Sequence, residues 1–298
     1  MIPNDLKIAL IGLDTSHTIE FARRMQAPDC PPDQKVPGMR ATACLRFPTP
    51  FQNKEGLDAR QKTLEGWGVK VTPSFEEAVA DCDAVMLEIN DPAFHLEYFT
   101  RAAELGKRIF LDKPVADTIA NGRKIAALAA AKKVPVFSTS SLRFVPQLLK
   151  ACAEVPKPLL ASTYGPVGKA PSGSSIVWYG VHAFEMLQRA MGRGALGVAA
   201  RTDDAGVTAV VRYPEKRRGV VELSYVSYAY GGSLRDDKRI VPFVNDASRL
   251  YSDLLLKVGE FFRGGPAPVA IEDSLEVMAM LDAAQRSADS GREEMVAG

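Results

Sequence analysis

The sequence is short of several things that would point to a function class. Its 298 residues hold four cysteines, Cys30, Cys44, Cys82 and Cys152. None stands in a C-x-x-C spacing, so neither a zinc ribbon nor a disulfide framework is suggested, and reduced thiols in a cytoplasmic protein are the expectation. Charge of one sign is missing too: 37 Lys and Arg face 36 Asp and Glu, for a formal net charge of +1. No basic tract is longer than "EKRRG" near Arg217, which argues against a nucleic-acid partner. No stretch approaches the roughly 18 apolar residues of a membrane span, and the opening apolar run is too short for a secretory h-region. A soluble intracellular chain with no membrane partner is therefore expected. Internal repeats and low-complexity tails are absent as well.

What is present suggests two domains of moderate size. In "KIALIGLDTSHTIEFARRM", Lys7 to Met25, an apolar run meets a glycine, then a polar knot, then a helical pattern with Ile19, Phe21, Ala22 and Met25 on its apolar side. Asp14, Thr15 and Ser16 are the N-cap candidates. A proline-rich loop from Pro28 to Pro37 precedes a second strand, "RATACLRF", and is longer than a compact βα unit needs. A short strand near Val69 to Thr72, a helix from Phe75, the strand "DAVMLEI", a helix from Ala93 to Leu105, the strand "KRIFL", an Ala-rich helix from Ile119 to Lys133 and "VPVFSTS" follow. Such alternation predicts an α/β domain with a doubly wound parallel sheet of Rossmann type over residues 1–142.

Beyond that point the pattern changes. "PLLASTY", "GVAARTDD", "VTAVVRYP" and "GVVELSYVS" are β-rich segments separated by turn residues, which predicts an α+β domain over residues 143–298 with a largely antiparallel sheet. Helices over 176–190, 247–262 and 271–290 would cover it.

The opening turn has the first glycine of a dinucleotide fingerprint, Gly12, but lacks the other two. Asp14 and His17 stand in their places. The second glycine normally lets the backbone approach a pyrophosphate at the helix N-terminus. Asp14 brings bulk and a like charge there. Either it caps the helix and fills the anion site, weakening the binding of a dinucleotide, or it points outward and leaves Thr15 and Ser16 to hold the phosphate. Arg46, in "CLRF", stands near the usual ribose-binding position, where an arginine can pair with a 2′-phosphate or simply be surface; it tips the expectation from NAD toward NADP.

From "LDKPVADT", Leu111 to Thr118, the order of parts resembles the glucose-fructose oxidoreductase and inositol dehydrogenase family, Gfo/Idh/MocA, along nearly the whole chain. "DAVMLEINDPAFHLEYFTRAAELGKRIFLDKP" is similar to its strand, histidine-containing loop, helix, strand and E-K-P motif, with Asp112 for Glu. "SSLRFVP", "YGVHAFEML" and the closing "VGEFFRGGPAPVAIEDSLEVMAMLDAAQRSADSGR" resemble its domain exit, its G-V-H helix and its final helix pair. The resemblance implies a nicotinamide cofactor across the carboxyl edge of the first sheet, contacting Gly12, Asp14, Thr15, Ser16, His17, Arg46, Asn90, His95, Asp112 and Lys113. It also implies a sugar or cyclitol beside Lys113 and His182, for which Tyr164, Trp178 and Tyr179 are further candidate contacts, and a homodimer or homotetramer.

Lys113 and His182 are the expected catalytic pair. Loss of hydride from a secondary alcohol requires removal of the hydroxyl proton, and a histidine or a lysine of lowered pKa suits that task. Each has an alternative: Lys113 as solvated surface, His182 as a half-buried residue of an amphipathic helix, and His95 as a helix-start residue bonding a carbonyl. Trp178 stands four residues before His182, where the family usually has an acidic residue. An indole cannot accept a proton, but it can stack on a pyranose or fill core. His17, His95 and His182 with Asp14 are of types that suit Zn or Mn, but their separation gives no ligand spacing and no metal is expected. The reading is an NAD(P)-dependent oxidoreductase acting on a sugar, sugar-acid or cyclitol hydroxyl. Its alternatives are non-redox or transient-redox lyase or hydrolase chemistry, and a sugar or nucleotide sensor without turnover.

Overall fold

A computed structural model describes residues 5–296. The chain forms two compact units. The first takes the chain through Ala116, then Arg123–Ser138 and Tyr251–Ala270; the second takes Asp117–Gly122, Thr139–Leu250 and the chain from Ile271. A single cut after residue 142 therefore does not describe the division, because residues 251–270 cluster with the first unit.

The first unit is built on six parallel strands, β1 (Leu6–Ile11), β2 (Met39–Leu45), β3 (Lys70–Thr72), β4 (Ala84–Leu87), β5 (Arg108–Leu111) and β6 (Val136–Ser138), in the order β3-β2-β1-β4-β5-β6. Ala84 to Leu87 and Ile8 to Ile11 are fully enclosed, which is why they read as continuous apolar runs rather than alternating ones. The order reverses between β1 and β4, and the crevice outside the carboxyl ends at such a switch point is where ligands bind in sheets of this kind. Aromatic side chains link the core: Phe21 to Phe110 at 6.2 Å between centroids, Phe110 to Phe137 at 5.1 Å and Phe137 to Phe261 at 4.9 Å.

One helix of this unit, Lys54–Gly66, is not evident in the sequence pattern. Only Leu57 and Leu64 of its thirteen residues are buried, so it has almost no apolar stripe to read. Asn53 caps it by accepting from the Gly56 N–H.

The second unit carries seven strands, β7 (Leu160–Pro166), β8 (Gly197–Thr202), β9 (Gly206–Arg212), β10 (Arg218–Ser224), β11 (Gly231–Arg235), β12 (Ile240–Val244) and β13 (Glu294–Met295), in the order β12-β11-β7-β10-β9-β8-β13. Only β7 and β10 run parallel; the other neighbours are antiparallel. Ala161, Thr163, Val221 and Leu223 are buried on one face, where Thr163 donates to the Ala183 carbonyl of helix Val181–Met191. The predicted helix over 176–190 is two helices, Ser175–Trp178 and Val181–Met191. At the break the Gly180 N–H reaches back to the Ser175 carbonyl, and a Cβ at 180 would lie 2.7 Å from Leu223 of β10. The glycine lets the turn settle against the sheet. The helix expected from 247 begins at Leu250.

Candidate functional site

Five loops gather at the carboxyl ends of the first sheet. Gly12 leaves β1 with φ +110°, and a Cβ there would meet the Glu88 carbonyl at 2.3 Å, so the first fingerprint glycine is required by the approach of β1 to the chain after β4. Thr15, not Asp14, is the N-cap of helix Ser16–Gln26: its hydroxyl accepts from the His17 N–H at 3.2 Å.

Asp14 takes neither of the two courses expected of it. It is buried, and its carboxylate accepts from the Asn90 N–H at 2.8 Å, from the Asp91 N–H at 3.4 Å and from the Thr49 hydroxyl at 2.7 Å. It neither caps the helix nor points outward; it ties the β1 turn to the loop after β4. Burial raises its pKa, and those hydrogen bonds pull it partly back. Asn90 thus meets Asp14 through its backbone, and its side-chain amide donates to the Asp14 carbonyl at 3.5 Å.

His17 lies in the first helical turn, and its Nδ1 sits 2.7 Å from Asp112 Oδ2. The ring is held edge-on by Tyr251 at 5.3 Å and Phe21 at 5.9 Å. Asp112 and Lys113 follow β5; Lys113 is only 4% exposed, and its N–H donates to Asp112 Oδ1 at 2.8 Å. Burial on its own would push the Asp112 carboxyl up, but His17 and Lys113 more than offset it and hold the group below the usual carboxylate range.

Glu88, directly after β4, is the residue that the sequence reading missed. It is completely buried, and neither carboxylate oxygen has a hydrogen-bond partner. Burial first, and the neighbouring Asp112 second, push its carboxyl well above the ordinary value, while Lys113 acts in the other direction. The one available sequence signal was a lone carboxylate inside the run "AVMLEI". The His17, Glu88 and Asp112 donor atoms all lie within 4.8 Å of one another.

His95 takes the alternative weighed for it: it is fully buried and its Nε2 is 2.8 Å from the Ile89 carbonyl. Each histidine thus has its own partner, Asp112 for His17 and the Ile89 carbonyl for His95. Arg46 donates to Asp58 at 2.5 Å and to Gln61 at 2.6 Å. With Phe47, Gln52, Lys54, Leu57 and Pro73 it lines a cleft of about 510 Å³ beyond the ends of β2 and β3.

In the second unit His182 is buried, with Nδ1 2.7 Å from the Ser140 hydroxyl oxygen. Ser140 is completely buried and also accepts from the Leu142 N–H at 3.2 Å, so its position is fixed. Tyr179 stands edge-on to the imidazole at 5.3 Å, and Tyr230, unforeseen from the sequence, at 5.7 Å. Trp178 packs against Tyr179 at 5.0 Å. Thr163 faces helix Val181–Met191, so strand alternation turns Tyr164 to the opposite face of the sheet, away from the helix that carries His182.

Residues 54–140 match the model of the GFO_IDH_MocA family, described as an oxidoreductase family with an NAD-binding Rossmann fold. Within the first unit, those residues are similar to that family's NAD-binding part. The resemblance read from "LDKP" and its surroundings holds over those residues. YceM of Salmonella typhimurium is 27% identical over 89 residues, a match spanning 30% of this chain and 29% of that protein. Among solved structures, GenD2 of gentamicin A biosynthesis, in complex with NAD, superposes with a TM-score of 0.82 at 14% identity, covering 100% of this chain and 98% of that one. The scyllo-inositol dehydrogenase of Lactobacillus casei, with bound NAD(H) and scyllo-inositol, gives 0.79 at 16% identity, covering 99% and 100%. The myo-inositol 2-dehydrogenase of Lactobacillus plantarum gives 0.79 at 14%, covering 98% and 100%. At these identities the fold is shared: a six-stranded parallel sheet in one unit and a mostly antiparallel sheet in the other. Among the described residues no helix is long and apolar enough to cross a membrane.

Proposed function

We propose that the protein is an NAD(P)-dependent oxidoreductase acting on a hydroxyl of a sugar, sugar acid or cyclitol. The observation that carries this reading is the burial of Lys113. A lysine at the end of a strand is ordinarily solvated, yet this one is 4% exposed, and enclosing an ammonium is costly unless the site uses it. The inositol dehydrogenases among the structural neighbours support the substrate class.

The residues at the adenosine end fit a dinucleotide. Phe47, Pro48, Leu57, Val71 and Pro73 give the cleft apolar walls that suit an adenine, and at its rim Arg46 and Lys54 are both paired with Asp58. Thr15 and Ser16 would hold the pyrophosphate. The chemistry that a nicotinamide dinucleotide supplies is hydride exchange.

Proton handling falls to the chain itself. His182 takes the hydroxyl proton in this reading, and the Ser140 oxygen, which also accepts from the Leu142 N–H, holds the imidazole through Nδ1. Lys113 orients the substrate oxygen and stabilises negative charge developing on it. Trp178 and Tyr179 offer aromatic faces to the apolar side of a sugar ring. A second reading, a sugar-binding protein without turnover, rests on Asp14, whose carboxylate stands in the turn where a glycine is usual.

The test is reduction of NADP and NAD with a panel of polyols, sugars and sugar acids, followed by the variants. Lys113→Met and His182→Ala should each lower kcat by about 10²- to 10⁴-fold while leaving dinucleotide affinity nearly unchanged, and the double variant should be little worse than the poorer single one. A wild type that binds a sugar without turnover, and does so equally well in both variants, would replace the enzyme with the sensor.

A further inference from the structure

We propose that His17, Glu88 and Asp112 form a binding site for one divalent first-row metal ion. The three donors come from adjacent strands of one rigid sheet: His17 from the helix after β1, Glu88 from the residue after β4 and Asp112 from the residue after β5. Their ligand atoms lie within 4.8 Å of one another, a separation that a central ion closes with small side-chain movement. The second and independent observation is Glu88 itself. A completely buried carboxyl group with both oxygens unpartnered is rare in folded proteins and costs stability unless something binds it, and one of these oxygens lies within 4.8 Å of the other two donors.

The surroundings hold the donors as a metal site requires. Asp112 Oδ1 accepts from the Lys113 N–H at 2.8 Å, which leaves Oδ2 for the ion. The imidazole is fixed between Tyr251 and Phe21. The Nδ1–H that donates to Oδ2 at 2.7 Å is the proton that an ion would displace on binding between the two atoms. One imidazole and two carboxylates suit Mn²⁺, Fe²⁺ or Zn²⁺, whereas Ca²⁺ would want 6–8 oxygens. Three protein ligands leave open positions for water or a substrate oxygen.

The test uses the whole protein, freed of metal with a chelator and without substrate or dinucleotide, so its outcome does not depend on the redox reading. MnCl₂ is added and free Mn²⁺ is followed by its solution EPR signal; manganese ignores the thiols that would bind zinc adventitiously. One saturable ion per chain is expected, weakened at least about tenfold in Glu88→Gln and in His17→Gln, and unchanged in Glu97→Gln on an exposed helix face. Mn²⁺ should also raise the melting temperature of the wild type but not of Glu88→Gln. Absence of saturable binding up to millimolar Mn²⁺, or retention of wild-type affinity in both ligand variants, overturns the site. His17→Gln, at a partly exposed position, keeps the test decisive if Glu88→Gln does not fold.

Discussion

At the scale of single residues, Glu88 is where charge and burial conflict most. Its carboxyl has an ordinary value of 4.5 and is raised well above that in the folded chain. The folded state then holds the proton more tightly than the unfolded state does. The resulting stability is fully present below the ordinary value and is lost as pH rises through the folded value. In metal-free protein, Glu88→Gln should therefore gain stability relative to wild type as pH rises from about 4.5 toward neutrality, by up to about 1.4 kcal/mol per unit. Urea unfolding at several pH values reads this directly, and parallel curves for the two proteins would show that the carboxyl is not held neutral. The only sign of this residue in the sequence is a lone carboxylate in an apolar run, which reads equally as the end of a strand. Asp14 was found but misjudged for a related reason: its partners Asn90 and Asp91 are more than 70 positions away, and hydrogen bonds at that separation leave no local pattern. Lys113 and His182 stand out in the sequence because short motifs surround them, "LDKP" and "YGVHAFEML".

At the scale of elements, helix Val181–Met191 shows how the second unit positions its histidine. Arg143 reaches Glu185 at 3.0 Å, with side chains 7% and 3% exposed, and also donates to Gln188. Burial raises the Glu185 pKa, and Arg143 counters it. Removing one partner of such a pair leaves an uncompensated buried charge, so Arg143→Met should cost about 3–5 kcal/mol in denaturant unfolding, and Arg143→Met with Glu185→Leu should recover most of it. A double variant as unstable as the single one would mean that the arginine matters through packing alone. Elements with a strong hydrophobic signature were legible: the parallel strands as unbroken apolar runs, and helix Ile271–Ser290 with the predicted limits. β11 and β12 were not. "GGSLR" has two glycines, and "IVPFV" carries Pro242, which a strand tolerates at the sheet edge that β12 forms.

At the scale of the molecule, the second sheet is covered by helices on the face that buries Thr163, Val221 and Phe243. On the other face lie Tyr164, Val220, Ile240 and Val244, the last two 66% and 65% exposed. Apolar side chains over several neighbouring strands suit association of two copies. A dimer or tetramer is expected in sedimentation at micromolar concentration, and Val244→Glu with Ile240→Lys should shift it toward monomer. A wild-type monomer would show that this face remains in water.

The return of residues 251–270 to the first unit also constrains how the protein is made. Phe137 lacks its neighbour Phe261, Phe21 lacks Tyr251, and Arg24 lacks the Ser252 hydroxyl at 3.1 Å until that late segment has left the ribosome. An N-terminal domain commonly folds while the rest of its chain is still being synthesised. Here the nascent sheet must wait, with an open aromatic flank, through the translation of more than a hundred further residues of the second unit. Truncation after Ser138 would leave that flank permanently bare.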